Sequence, residues 1–250
     1  LSRRGLAHAQ MGEYARALAD LDQATDLDPD YAWAIAGRGA TYWLMGEYAR
    51  ARADFDRAIA LDSDDAWAIA SRGATYGAMG EYARALTDFD RAIDLKPDDA
   101  WATASRGETY RQMGEYARAR ADFDRAIDLK PDDAWAIASR GETYRLMGEY
   151  DKALPDFDRA IALDPDDAGA IASRGETYRL MDKYDKALAD FDRAIALKPD
   201  DAGAIARRGL TYALLGESAK ALADFDRAIA LKPDYAWAIA GRGATYWLMG

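Results

Sequence analysis

Carboxylates and guanidinium groups dominate the chemistry open to this chain, and they recur at a fixed interval. Arg38, Arg72, Arg106, Arg140, Arg174, Arg208 and Arg242 each precede a glycine. Aspartates flanking a phenylalanine, from Asp54-Phe55-Asp56 to Asp224-Phe225-Asp226, keep the same interval. A guanidinium meets a carboxylate through two parallel bonds, so this pattern points to a structural Arg–Asp ladder between helices. A second charged set pairs Glu108 with Arg111, Glu142 with Arg145 and Glu176 with Arg179. Spacing of three along a helix puts each pair on one face, where it neutralises itself for about 0.3 kcal/mol. Such a row is either a solvated salt-bridge pattern, the simpler reading, or a ladder that reads a ligand.

Little else in the chain has catalytic potential. His8 is the one histidine and brings no second ligand with it, so it reads as a substitution in the first unit rather than a catalytic or metal-binding group. There is no cysteine, hence no disulfide framework and no thiolate metal site. Acidic turns such as Asp62-Ser63-Asp64-Asp65 lack the glycine and distal glutamate of a calcium loop and read as helix caps. The sequence has no phosphate loop, nucleophile elbow or zinc spacing. The expectation is a protein with no cofactor, no metal and no small-molecule substrate. A net charge of −11 argues against nucleic acid, and no apolar run approaches a membrane span. The lack of cysteine and of a signal peptide favours the cytoplasm, although Leu1 falls inside a repeat.

The elements that must position these groups follow from the period, which is 34 residues. A fixed period of this length marks stacked supersecondary units rather than one central core. With the phase set at Ala32, full units run 32–65, 66–99, 100–133, 134–167, 168–201 and 202–235, between a partial unit 1–31 and a half unit 236–250. Ile35, Gly39, Tyr42 and Met45 fall at helical spacing, and Gly46 supplies a left-handed stop. Tyr48, Ala51, Phe55, Ala58 and Ile59 make a second stripe. Asp99, Asp133, Asp167 and Asp201 stand where a carboxylate caps the next helix. Each unit therefore reads as a helix–turn–helix hairpin, giving about fifteen helices. Small residues at Gly39, Ala51 and Ala58 mark close helix approach, and the six phenylalanines and seven methionines each hold one slot and read as core. Pro155 inside a second helix predicts a bend costing up to ~3 kcal/mol, and Asp182 in a turn-glycine slot predicts strain of roughly 1 kcal/mol. With Gly169 and Gly203, they mark 150–205 as the softer stretch.

Gly107, Tyr110, Ala119, Phe123, Ala126 and Pro131, with their equivalents, resemble the tetratricopeptide-repeat (TPR) motif. The match covers the whole chain, with Ser63 as the departure in the proline slot. The resemblance implies an all-α, right-handed α-solenoid, a single superhelix over 1–250 with first helices on its concave side. It also implies a non-catalytic role in binding peptides or proteins there. Members that hold acidic chaperone termini use Lys and Asn in the groove. Here Ala36, Ala70, Ala104, Ala138 and Ala172 fill one such slot, and Ala or Glu the other, so the resemblance does not extend to that ligand. Near-identical arrays also resemble the sensor parts of large bacterial signalling proteins, without an effector domain here.

By the resemblance, the second, fifth, ninth and twelfth slots of each unit face the groove. All seven tryptophans fall in the second or twelfth: Trp33, Trp43, Trp67, Trp101, Trp135, Trp237 and Trp247. Two readings fit. The indoles, Trp101 and Trp135 in particular, anchor a partner, or they pack on the neighbouring unit. Residues 233–250 repeat 29–46 identically, and Ile239, Tyr246, Trp247, Leu248 and Met249 keep the apolar face of the last helix. That face predicts either a continuing chain or further copies of the protein stacking end to end into oligomers or filaments.

Overall fold

The computed structural model describes residues 2–249. Among them are fifteen α-helices and no strand: α1 Ser2–Gln10, α2 Tyr14–Leu27, α3 Ala32–Leu44, α4 Tyr48–Leu61, α5 Ala66–Ala78, α6 Tyr82–Leu95, α7 Ala100–Gln112, α8 Tyr116–Leu129, α9 Ala134–Leu146, α10 Tyr150–Leu163, α11 Ala168–Leu180, α12 Tyr184–Leu197, α13 Ala202–Leu214, α14 Ser218–Leu231 and α15 Ala236–Met249. Two compact units divide the chain, Leu1–Pro131 and Asp132–Gly250. Each is a stack of helical hairpins.

Local chemistry sets the helix ends. Asp65, Asp99, Asp133, Asp167 and Asp201 each accept from free N–H groups in the first turn of the following helix. At the end of α3 the Gly46 N–H donates to the Trp43 carbonyl at 3.0 Å and the Glu47 N–H to the Tyr42 carbonyl at 2.9 Å. That pair of bonds requires a left-handed residue, and Gly46 supplies it with φ of 76°. Asp182 sits at the equivalent turn with φ of 57°, the one non-glycine residue with positive φ among the described residues.

Within each unit a first helix packs on its own second helix and on the next first helix, whereas second helices do not reach one another among the described residues. First helices therefore line the inner side of each stack. The core lies between the two layers. In the first unit it gathers Ile35, Ala51, Phe55, Ala58, Ile69, Ala85 and Phe89; in the second, Ala153, Phe157, Ile171, Ala187, Phe191, Ile205 and Phe225. Close approach depends on small residues as expected: a Cβ on Gly39 would meet the Ala51 carbonyl, the Asp54 Cβ and the Phe55 ring all at 3.2 Å. In the first hairpin Leu21 takes the phenylalanine slot and is fully buried.

One expectation needs correction. All six phenylalanines are core, but the methionines are not. Met11, Met45, Met79, Met113 and Met249 are exposed, and Met147 and Met181 are half-buried. Met45 and its equivalents occupy the C-cap, where the chain is turning away from the helix and its side chain leaves the packed face. Pro155 lies inside α10, which runs for 14 residues, as long as α4 or α12. The proline is exposed, so the carbonyl it leaves unpaired has access to water. The strain at Asp182 has no such outlet. Replacing it by glycine relieves the left-handed backbone, and we expect Asp182→Gly to stabilise the protein by about 1 kcal/mol in urea unfolding.

Candidate functional site

The repeated arginine ties together the two helices of each full hairpin. Arg72 donates from Nε and Nη2 to both oxygens of Asp88 at 2.8 and 2.7 Å, and from Nη1 to Asp56 at 2.9 Å. Asp88 lies on the second helix of the same repeat, and Asp56 on the second helix of the preceding one. Arg38, Arg106, Arg174 and Arg208 repeat both arms, with Asp54 and Asp22, Asp122 and Asp90, Asp190 and Asp158, Asp224 and Asp192. Thus the first aspartate of Asp-Phe-Asp closes a hairpin and the second joins it to the next. The carboxylate of the first hold is buried in each case. These guanidinium groups titrate even further above their ordinary range, raised first by the bidentate carboxylate and opposed by burial.

The arginine that follows the motif is structural too. Arg57, Arg193 and Arg227 donate to the carbonyls of Pro29, Pro165 and Pro199 in the preceding turn, and Arg91 does so to Ser63. His8 is likewise engaged, its Nδ1 standing 2.6 Å from a Glu13 carboxylate oxygen. Among the described residues no group of His, Asp or Glu has metal-holding geometry, and no helix is long and apolar enough to cross a membrane.

The second charged set is bidentate as well. Arg111 holds Glu108 at 2.8 and 2.5 Å, Arg145 holds Glu142 at 2.8 and 2.6 Å, and Arg179 holds Glu176 at 2.8 and 2.7 Å. These pairs are half-buried rather than fully solvated, on the inner row of first helices. Arg145 is raised first by Glu142, against burial, and Glu176 on the next first helix adds to the effect. The row is internally neutral and pre-oriented, with planar edges already occupied.

The tryptophans divide. Trp43, Trp67, Trp101, Trp135 and Trp237 are exposed to similar degrees near 40 %, Trp33 is half-buried, and Trp247 is 80 % exposed. Trp67 packs edge-on against Phe55, ring centres 6.4 Å apart, and Trp237 does the same on Phe225 at 6.5 Å. Trp33 leans on Tyr31. In the first unit Trp43, Trp67 and Trp101, on three successive first helices, enclose an apolar cavity of about 170 Å³ with Ala40, Leu44, Phe55, Ser71 and Ala74. Of the fifth-slot alanines, Ala36, Ala70, Ala104 and Ala172 are buried and Ala138 is half-buried, so this slot forms a floor rather than a reading surface. Ile239, Tyr246, Trp247, Leu248 and Met249 are all exposed on α15.

Family models described as tetratricopeptide repeat match residues 34–65, 72–134, 134–167 and 175–240, and one described as TPR repeat matches 5–46. The chain is a tetratricopeptide-repeat protein. Its backbone superposes on a chain of the APC/C hetero-tetramer Cut9–Hcn1 with a TM-score of 0.89 at 19% identity, over 96% of this chain and 48% of that one. The TPR chain thus spans about half the length of that relative. A tetratricopeptide-repeat protein from Parabacteroides merdae gives a TM-score of 0.74 at 21% identity, covering 98% and 96% of the two chains. YrrB, described as a TPR protein with an unusual peptide-binding site, gives 0.57 at 26% identity, covering 76% and 97%. No curated protein matches the sequence.

Sequence spacing marked the arginine ladder, the paired Glu–Arg row and the tryptophan slots of this TPR array. It did not show that the second aspartate reaches the next repeat, that the following arginine holds a turn carbonyl, or that Phe55 lines the cavity. The signal for the first was present, since both aspartates recur without exception from Asp54 onward. Cutting the ladder tests its weight. Arg106→Met leaves buried Asp122 unpaired, and we expect a loss of about 3 kcal/mol in urea unfolding; Arg106→Met/Asp122→Leu, which removes both charges, recovers most of it.

Proposed function

We propose that this TPR protein is a non-catalytic scaffold that binds a peptide or protein segment along its inner row of first helices, with an apolar side chain of the partner seated between Trp43, Trp67 and Trp101. The cavity those indoles enclose carries the reading. Its volume of about 170 Å³ is below the roughly 300 Å³ at which small-molecule pockets begin, and suits one side chain of a longer ligand. Rigid indoles around a pocket are the residue type on which binding energy concentrates. Trp101 and Trp135 add exposed aromatic surface, one in each compact unit. On α11 and α13 Gly169 and Gly203 replace the second-slot indole, and bidentate pairs stand on α7, α9 and α11, Glu108 with Arg111, Glu142 with Arg145 and Glu176 with Arg179. The net charge of −11 sets the surface against nucleic acid. The peptide-binding site for which YrrB is described is consistent with this reading.

A displayed random-peptide library panned on the whole protein tests it. We expect the selected peptides to lose at least tenfold in affinity on Trp43→Ala/Trp101→Ala with little change in melting temperature. Trp67→Ala should reduce both affinity and melting temperature, because that indole also packs on Phe55. Selected peptides that bind the double variant unchanged would remove the groove assignment.

One observation favours a second reading, association of copies end to end: the apolar row Ile239, Tyr246, Trp247, Leu248 and Met249 is open to solvent. In that case static light scattering should show mass rising with concentration, and Trp247→Glu should abolish the rise.

A further inference from the structure

The tryptophan cavity of the first compact unit holds a polar group that the fold does not use. Ser71, on α5, is 8 % exposed and lines the cavity beside Trp43, Trp67 and Trp101. Its carbonyl accepts from the Thr75 hydroxyl at 2.8 Å, but its own hydroxyl makes no hydrogen bond among the described residues. With no partner and no seal over it, that hydroxyl opens on the cavity. The frame does not require it. The same slot is Gly37 on α3 and Arg207 on α13, and the arginine that follows keeps its two-armed grip at Arg38 and Arg208. The rest of the wall is alanine, leucine, phenylalanine and indole, with no carboxylate, ammonium or guanidinium group. A charged side chain entering it would lose its hydration and find no counter-charge. The volume of about 170 Å³ is close to the roughly 150 Å³ of an apolar cavity that takes up one benzene ring.

We infer that the side chain seated in this cavity is a tyrosine of the partner segment. The inference rests on the groove reading above and names the residue that enters it. A phenol ring fills a space one ring wide and meets the three indoles in the offset or edge-on contacts that aromatic pairs favour. Its O–H both donates and accepts, as the Ser71 hydroxyl does, so the bond closes with either proton arrangement. Leucine or phenylalanine covers the same apolar wall but leaves a nine-tenths buried hydroxyl unpaired, which weakens binding. Among uncharged side chains, tyrosine alone joins a single ring to a hydroxyl. The exposed parts of Trp43, Trp67 and Trp101 border the opening on the inner row, so the ring enters from there and the partner's backbone stays outside.

Two capped amino acids, N-acetyl-tyrosinamide and N-acetyl-phenylalaninamide, test it when titrated into the whole protein and followed by NMR through the indole N–H signals, assigned by Trp→Phe substitution. We expect the tyrosine probe to shift the Trp43, Trp67 and Trp101 signals saturably. It should bind about fivefold more tightly than the phenylalanine probe, the increment of one neutral hydrogen bond. Ser71→Ala removes the hydroxyl, breaks no side-chain bond within the protein and favours the helix, so the melting temperature should hold. The two probes should then bind equally, with the phenylalanine probe's affinity unchanged. p-Cresol separates a peptide side chain from a free phenol: it lacks the backbone amides and should bind no better than the tyrosine probe. Equal affinity of the two capped probes for the wild type, a preference that survives Ser71→Ala, tighter binding of p-cresol than of the tyrosine probe, or no shift with any of the three would each overturn the inference. The groove reading is judged apart from it, by the effect of Trp43→Ala/Trp101→Ala on panned peptides, and stands if those peptides need the indoles without containing a tyrosine.

Discussion

The arginine ahead of the glycine that recurs in phase is the constraint on which the array rests. A guanidinium offers five donors in one plane, and this chain spends them in two directions. The Nε–Nη2 edge of Arg72 grips Asp88 within its own hairpin, and Nη1 reaches Asp56 in the hairpin before. The same geometry recurs at Arg38, Arg106, Arg174 and Arg208. Burying the carboxylate makes the contact unforgiving, because a charge left without its partner inside the stack is far more expensive than one at the surface. Helix spacing within a repeat and register between repeats are thereby set by one side chain. The glycine that follows is its geometric complement, since it lets the second helix come near enough for the fork to close.

Fixing the frame in this way releases other positions from structural duty. The second and twelfth slots of the first helices change from Trp to Gly and from Trp to Arg along the chain, without altering helix length or the ladder. The first compact unit encloses an apolar cavity among three indoles and carries one bidentate Glu–Arg pair, on α7; the second carries two such pairs, on α9 and α11, and the exposed indole of Trp135. An indole such as Trp67 serves both purposes, with an edge on Phe55 and the remainder open. Packing and recognition are not alternatives for a side chain that large: part of its area orders it, and the exposed part is then rigid at little entropic cost.

Departures from the repeat show how much the frame tolerates. Asp182 adopts the left-handed turn that glycine fills elsewhere, because the two bonds that close the helix end dictate the backbone there whatever residue is present. Pro155 leaves α10 at full length because it faces water. Neither requires a shift in the ladder. At α15 the residues of α3 form a helix again, and Arg242 keeps one of the three carboxylate bonds that Arg38 makes.

The period, the hairpin unit and its phase, the aspartate caps, the glycine turns and the phenylalanine core were all legible in the residues alone. These are local or nearest-neighbour matters, and a 34-residue repeat states them many times over. The ladder of arginines and aspartates was legible in the same way. Three matters had to wait for the folded chain: which aspartate each arginine holds, that Met45 and its equivalents face outward, and that Trp43, Trp67 and Trp101 meet around one cavity. Spacing along a helix tells which residues share a face, but not which neighbour, if any, covers it. Identical residues in α3 and α15 make the point physically: burial is a property of the surrounding packing, so one sequence gives a sealed face in one place and an open one in the other.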